Sequence, residues 1–157
     1  MTRSALKLCL IAGLLALGAC SRATADPATL AEGRAFLAQN AKAPGVTRTR
    51  SGLEYKVLVA GPADGPHPGP DDAVKVNYEV KLLNGQVIDS SFQRGQPDVM
   101  RLGGLIGAWK EALRLMRPGD TWEIWSPPEL AYGDEETGPI PGGSVLEFKI
   151  ELIATAR

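Results

Sequence analysis

Apolar and polar residues alternate with period two over several stretches of the chain. Leu53, Tyr55, Val57 and Val59 alternate with Glu54, Lys56 and Leu58. Val74, Val76, Tyr78, Val80 and Leu82 alternate with Lys75, Asn77, Glu79 and Lys81. Near the C-terminus Leu146, Phe148, Ile150, Leu152 and Ala154 alternate with Glu147, Lys149 and Glu151. Successive side chains of a strand point to opposite faces, so each stretch predicts a strand with one apolar face. Thr121–Ser126, Val87–Ile88 and Val99–Leu102 predict further strands. Between them Leu105, Trp109, Ala112, Leu113 and Met116 recur at helical spacing, with Lys110, Glu111 and Arg114 on the other side. That pattern predicts an amphipathic helix over Leu105–Met116. A weaker helix is predicted over Pro27–Lys42, with Asp26 as cap, Pro27 at its first position and Pro44-Gly45 at its end. Gly61–Pro70, Asn84-Gly85 and Pro118-Gly119-Asp120 carry the turn residues, and Asn84-Gly85 suits a hairpin because both positions tolerate positive φ. Strands joined by tight turns imply an antiparallel sheet with one dry and one wet face. The predicted class is α+β: an antiparallel sheet wrapped around one short amphipathic helix, over residues 46–157, preceded by a short N-terminal helix.

The first twenty residues follow a different logic. Met1–Lys7 carries Arg3 and Lys7 and no acid, and Leu8–Leu17 is a short apolar run. That is the order of a secretory signal, and the run is shorter than the roughly 20 residues a membrane-spanning helix needs. Residues 1–19 are read as a signal peptide. The run ends Leu17-Gly18-Ala19-Cys20, which resembles the lipobox of bacterial lipoproteins. The resemblance implies cleavage before Cys20, acylation of its thiol and attachment to a membrane by lipid. An ordinary signal with a chance cysteine is the competing reading. In Gram-negative lipoproteins the residue after the cysteine influences sorting, and Ser21 favours the outer membrane. The expected location is therefore the periplasm-facing cell envelope, with residues 20–45 as a lipidated linker and short helix.

Composition narrows the chemistry. Cleavage after residue 19 would leave 138 of the 157 residues, enough for one domain and a tether. The 17 basic and 18 acidic side chains are interspersed, so no nucleic-acid surface is expected. Cys9 would leave with the signal and Cys20 would remain alone, which precludes a disulfide within the mature chain. His67 is the single histidine, and it lies in a Gly/Pro-rich stretch read as solvated loop. No His/Cys metal site, Ser/His/Asp set, phosphate loop or dinucleotide fingerprint is present in the sequence. No cofactor is expected. By pattern alone Trp109, Tyr78 and Phe148 are core residues, Asp89 is a turn residue and Tyr132 a loop aromatic.

Several motifs in register change that reading. Gly52-Leu53-Glu54-Tyr55-Lys56-Val57, Val76-Asn77-Tyr78, Ile88-Asp89-Ser90-Ser91, Trp109-Lys110-Glu111-Ala112-Leu113, Thr121-Trp122-Glu123-Ile124, Leu130-Ala131-Tyr132-Gly133 and Leu146-Glu147-Phe148 resemble FKBP-type peptidyl-prolyl isomerases in order and spacing. The similarity is to bacterial members of the macrophage infectivity potentiator group, and it spans residues 33–155, including Ala35-Phe36-Leu37-Ala38-Gln39-Asn40 upstream. The resemblance implies a pocket between helix and sheet. Trp109 would form its floor, Tyr78 and Phe148 its walls, and Leu105 and Ile106 one side. Asp89 and Tyr132 would supply polar contacts at the rim, Ile140 would flank it, and the Ile106 N–H would donate to a ligand. It implies proline-containing polypeptides as substrates, macrolides as ligands and no cofactor. Three positions depart from the family. Ile88 stands where an aromatic usually precedes the Asp, Asp98 where an apolar residue is common, and Gly107-Ala108 where Pro-Gly usually precedes the Trp. The first two are expected to thin one pocket wall. The alternatives to an isomerase are a non-catalytic chaperone or binding module using the same pocket, and a lipid-anchored structural protein. Longer relatives dimerise through an N-terminal helical region. The single helix of about 15 residues here is marginal in isolation, so a monomer is expected.

Overall fold

A computed structural model describes residues 25–157. The signal peptide and the Cys20 lipid site predicted above lie outside the described residues. Seven antiparallel strands form one sheet: β1 (Val46–Arg48), β2 (Glu54–Val59), β3 (Ala73–Leu82), β4 (Val87–Ser90), β5 (Asp98–Arg101), β6 (Thr121–Ser126) and β7 (Leu146–Ala156). Their spatial order is β1-β2-β6-β7-β3-β4, with β5 also on β3. β3 pairs with β7 along its whole length, while β4 and β5 share its other edge. Among the described residues three α-helices accompany the sheet: α1 (Pro27–Asn40), the one-turn α2 (Ser91–Arg94) and α3 (Gly107–Leu115).

The period-two pattern sorts the two faces as predicted. Val74, Val76, Val80 and Leu82 of β3, and Leu146, Phe148, Ile150 and Leu152 of β7, are buried on the inner face. They pack with Ala108, Trp109, Ala112 and Leu113 of α3 and with Met116 just beyond it. The helix begins later than its periodicity suggests. Leu102–Gly104 form a 3-10 turn, after which Leu105 and Ile106 are extended and α3 starts at Gly107. Leu105 therefore belongs to the approach to the helix rather than to its apolar stripe. β5 is displaced by one residue from the expected strand, and β1 and α2 are elements that the pattern did not announce. The hairpin after β3 also differs in detail: Gly85 alone takes positive φ (85°), and the Asn84 carboxamide oxygen accepts from the Gln86 N–H at 2.9 Å.

The outer face is not wet throughout. α1, capped by the Asp26 side chain as predicted, lies against it. Leu37 meets Trp125 and Val145, with Phe36, Val46 and Leu83 at the margin. A Cβ on Gly33 would stand 2.8 Å from a Val145 methyl, so the glycine that weakens the helix also lets it approach. Glu54 sits opposite Trp125 on this face, where alternation predicts solvent, yet it is fully buried. Asn40 Nδ2, at the end of α1, donates to Glu54 Oε2 at 2.9 Å, and Arg48 stands 3.9 Å from Oε1. Burial pushes the Glu54 carboxyl up, against the opposing pull of Asn40 and Arg48. Beyond α1 the outer face is charged, with Lys56, Glu123, Lys149 and Glu79 facing one another in turn across four strands. Val57, Leu58 and Val59, at the far end of β2, are exposed. His67 is exposed as expected but not free, because its Nδ1 lies 3.0 Å from the Met116 carbonyl, tying the Gly61–Pro70 loop to the end of α3.

Candidate active site

The inner core opens at one end into a pocket of about 390 Å³ between α3, the sheet and the loop that follows β6. Each element contributes through its own geometry. β3 places Tyr78 and Val80 two residues apart on its inner face, and β7 places Phe148 opposite Val80. The first turn of α3 supplies Trp109, 5% exposed. The Trp109 ring meets Tyr78 edge-to-face at 5.1 Å and Phe148 at 5.8 Å, so three aromatic rings form a floor and two walls. Leu105 and Ile106 line one side from the extended segment before the helix. The Ile106 N–H makes no hydrogen bond among the described residues, while its carbonyl accepts from Trp109 and Lys110 at 3.1 Å. Ile88 and Asp89 come from β4, Met100 from β5, and Tyr132 and Ile140 from the long loop between β6 and β7. That loop is pinned at its base, where the Gly143 N–H donates to the Gly133 carbonyl at 2.9 Å. Ile140 is buried, and Tyr132 is 41% exposed at the mouth.

All nine predicted pocket residues, Tyr78, Ile88, Asp89, Leu105, Ile106, Trp109, Tyr132, Ile140 and Phe148, thus line one cavity. Val80, Met100 and Gly104 line it too and were not anticipated. Val80 was legible as an inner-face residue, but nothing in the sequence says that the core is open there. Asp98 adds no apolar surface to the wall. It lies two residues before Met100 in β5, and its carboxylate is paired with Arg94 rather than lining the cavity.

The rim is a closed hydrogen-bond network. One Asp89 oxygen accepts from the Tyr78 hydroxyl. The other accepts from the Ser90 N–H at 2.8 Å and from the Arg94 guanidinium. The second arm of Arg94 reaches Asp98, and its guanidinium carbon stands 5.6 Å from the Tyr78 ring centre. Arg94 was missed by pattern reading because it lies on the exposed side of a four-residue helix. The signal for that helix exists: Ser90 caps it and Gly95 ends it with φ 73°. Ser91, fully buried, accepts from the Tyr78 N–H at 2.8 Å and fixes the turn to β3. The Tyr78 hydrogen bond, with Ser90 and Arg94, holds the Asp89 carboxyl below the usual carboxylate range. Burial, then the Asp89 hydrogen bond, pushes the Tyr78 phenol up. At neutral pH Asp89 is therefore an anion and Tyr78 a neutral donor. Among the described residues no group of three or more His, Cys, Asp or Glu side chains is placed to hold a metal ion.

A family described as FKBP-type peptidyl-prolyl cis-trans isomerase matches residues 65–153, more than half of the chain. A second, the domain amino terminal to FKBP-type peptidyl-prolyl isomerase, matches residues 19–57. Among curated proteins, the peptidyl-prolyl cis-trans isomerase Mip of Coxiella burnetii is 48% identical over 79% of this chain and 54% of its own length. The outer membrane protein MIP of Legionella longbeachae is 42% identical over 81% of this chain and 54% of its own. The chain thus spans about half the length of these relatives. Among solved structures, FkpA from Escherichia coli superposes with a TM-score of 0.77 at 38% identity, covering 82% of this chain and 59% of that one.

Proposed function

The chain belongs to the FKBP-type peptidyl-prolyl cis-trans isomerase family, and on that premise we propose that it accelerates rotation about X–Pro bonds in envelope or secreted polypeptides. The observation that carries the reading is the aromatic pocket of Trp109, Tyr78 and Phe148 with an ionised, fully hydrogen-bonded Asp89 at its rim. Resonance holds a peptide bond planar behind a barrier of about 18–20 kcal/mol. An X–Pro bond left to itself isomerises in tens to hundreds of seconds, slowly enough to limit folding. The twisted transition state has lost C–N double-bond character and with it much of the planar amide's dipole. An apolar, water-poor pocket therefore favours the twisted form over the planar one, relative to water.

In this mechanism Trp109, Tyr78 and Phe148 grip the proline ring, with Ile88, Leu105, Ile106 and Ile140 closing around the neighbouring residues. The Ile106 N–H and the Tyr132 hydroxyl donate to substrate carbonyls. Asp89 acts by holding Tyr78 and by its fixed negative charge near the rotating carbonyl. Catalysis is preferential binding of the twisted state, with no nucleophile, and each tenfold in rate needs about 1.4 kcal/mol of preference. A protease-coupled isomerisation assay on Ala-Leu-Pro and Ala-Ala-Pro peptides tests the reading. The wild type is expected to accelerate the reaction, Trp109→Leu to lose at least tenfold in kcat/KM, and Tyr132→Phe a few-fold. A wild type no faster than buffer would leave the non-catalytic binding module in its place.

Lipid attachment at Cys20, facing the periplasm and with the outer membrane favoured, is part of the same proposal. Its support is the signal-like run ending in Leu17-Gly18-Ala19-Cys20, Ser21 after it, and the name borne by the Legionella relative. Cys20→Ser is expected to move the protein from the membrane fraction to the soluble one.

A further inference from the structure

We propose that Asp98 is a specificity-determining residue. Through Arg94 it fixes an Asp89–Arg94–Asp98 clamp across the pocket mouth, and the clamp's uncompensated charge selects X–Pro segments that carry Lys or Arg, rather than Asp or Glu, beside the proline. This rests on the isomerase reading and names the substrate class within it.

The geometry of the clamp is the starting point. Arg94 ends a one-turn helix stopped by Gly95, so little of its own element restrains its side chain. Its two arms are nevertheless occupied, one by Asp89 and the other by Asp98. The terminal nitrogen that meets Asp98 also lies 3.4 Å from the Tyr78 hydroxyl, so the guanidinium is drawn over the aromatic wall of the pocket. An apolar residue at position 98 would leave Asp89 and Arg94 as a neutral pair. With Asp98 the three groups sum to one negative charge, placed where a substrate chain leaves the apolar cavity.

The loop that brings Tyr132 and Ile140 to the pocket carries the same sign. Tyr132 and Ile140 both line the pocket, and the segment that joins them contains Asp134, Glu135 and Glu136 in succession with no basic residue. All three are exposed. The floor and walls are apolar and indifferent to substrate charge, so discrimination by charge falls to these two flanks. Charges at a solvent-exposed rim act over several ångströms and are screened by salt, which gives the effect a signature that packing would not share.

The test compares peptides Ala-Lys-Pro-Phe and Ala-Glu-Pro-Phe as substrates of wild type, Asp98→Asn, Asp98→Glu and Glu135→Gln/Glu136→Gln. The readout is the ratio of the two kcat/KM values within each protein, which cancels any loss of active fraction. The wild-type ratio is expected to be about fivefold in favour of Lys at low salt, the size expected when one unit charge about 8 Å away in high dielectric attracts Lys and repels Glu equally. It should approach unity in 0.5 M NaCl, a concentration at which the screening length falls to about 4–5 Å. Asp98→Asn should reduce it to about twofold, Asp98→Glu should restore it, and the loop variant should reduce it by less than Asp98→Asn does, with the change in KM rather than kcat. A ratio that is unity in the wild type, or unchanged by Asp98→Asn, overturns the proposal. Calorimetric binding of the same peptides separates the two readings. Charge preference in binding without turnover keeps the clamp and removes the isomerase, and turnover without charge preference does the reverse.

Discussion

The two faces of the sheet each carry a helix, and the helices are held by different physics. α3, on the inner face, presents Ala108, Trp109, Ala112 and Leu113, all buried, to a continuous apolar core. α1, on the outer face, buries only Gly33 and Leu37, and meets a cluster of Leu37, Trp125 and Val145. Its other attachment is polar, from Asn40 to the buried Glu54. Apolar burial contributes in proportion to area, whereas a buried polar contact contributes little net and costs heavily when one partner is removed. The inner layer is thus stabilised by many interchangeable contacts and the outer layer by a few that are individually necessary.

The sharpest way to break this comparison is to remove the same side chain from each layer. Leu113→Ala in the fully buried core is expected to cost about 3 kcal/mol in urea unfolding. Leu37→Ala, in the smaller cluster, is expected to cost about 2 kcal/mol. Equal losses would mean that the outer layer is as cooperative a core as the inner one. Next in size is Asn40→Ala, which leaves the Glu54 carboxylate buried without its donor and is expected to cost about 1–2 kcal/mol. The apolar control Ala38→Ser, on the exposed side of α1, should fall within about 0.5 kcal/mol of wild type.

A smaller effect separates the layers by pH. The Glu54 carboxyl is raised in the folded state, so the folded protein binds its proton more tightly than the unfolded chain. Its contribution is fully present below roughly pH 4.3, the ordinary glutamate value, and is lost as pH rises through the raised one. Asp89 at the pocket rim is lowered, so its contribution is present above its ordinary value and is lost as pH falls towards the lowered one. Glu54→Gln should therefore flatten the decline of stability above that pH and leave the acid limb unchanged. A Glu54→Gln curve parallel to wild type throughout would show that the outer carboxyl is not the group responsible. Another small change is expected inside the pocket. Ile88→Phe adds aromatic area to the wall formed by β4 and should raise kcat/KM on a Leu-Pro peptide about two- to threefold, under 1 kcal/mol. No change, or a fall, would mean that Ile88 already fills its place.

The same contrast explains what could be read from the chain alone. The inner faces of β3 and β7 and the apolar stripe of α3 are written as periodicity, because each residue there needs only to be apolar on the correct side. The pocket residues were legible through motifs in register with a known family, not through pattern, since Trp109 and Phe148 look like any other core aromatic. Glu54 and Asn40 are 14 residues apart and lie on different elements, so no local rule couples them. Arg94 and Asp98 are an ordinary helical i,i+4 pair by spacing, but Asp98 lies in β5, not in a helix. Leu105 shows the opposite error: it fits the helical stripe, but the chain turns at Gly103-Gly104 and brings it to the pocket in an extended segment.

The pairing of β3 with β7 has a temporal consequence. These adjacent strands exchange partners over ten positions, from Ala73 opposite Ala156 to Leu82 opposite Leu146. β3 is the strand on which β4, β5 and Tyr78 depend, and its long edge stays unsatisfied until the final strand arrives. A chain delivered from its N-terminus therefore holds no finished sheet until residue 156 has emerged, and the loop it must then close is more than sixty residues long at its shortest. Topologies dominated by such distant pairings assemble in milliseconds to seconds rather than microseconds. The sheet therefore closes only after the whole domain has been delivered, whatever route the chain takes.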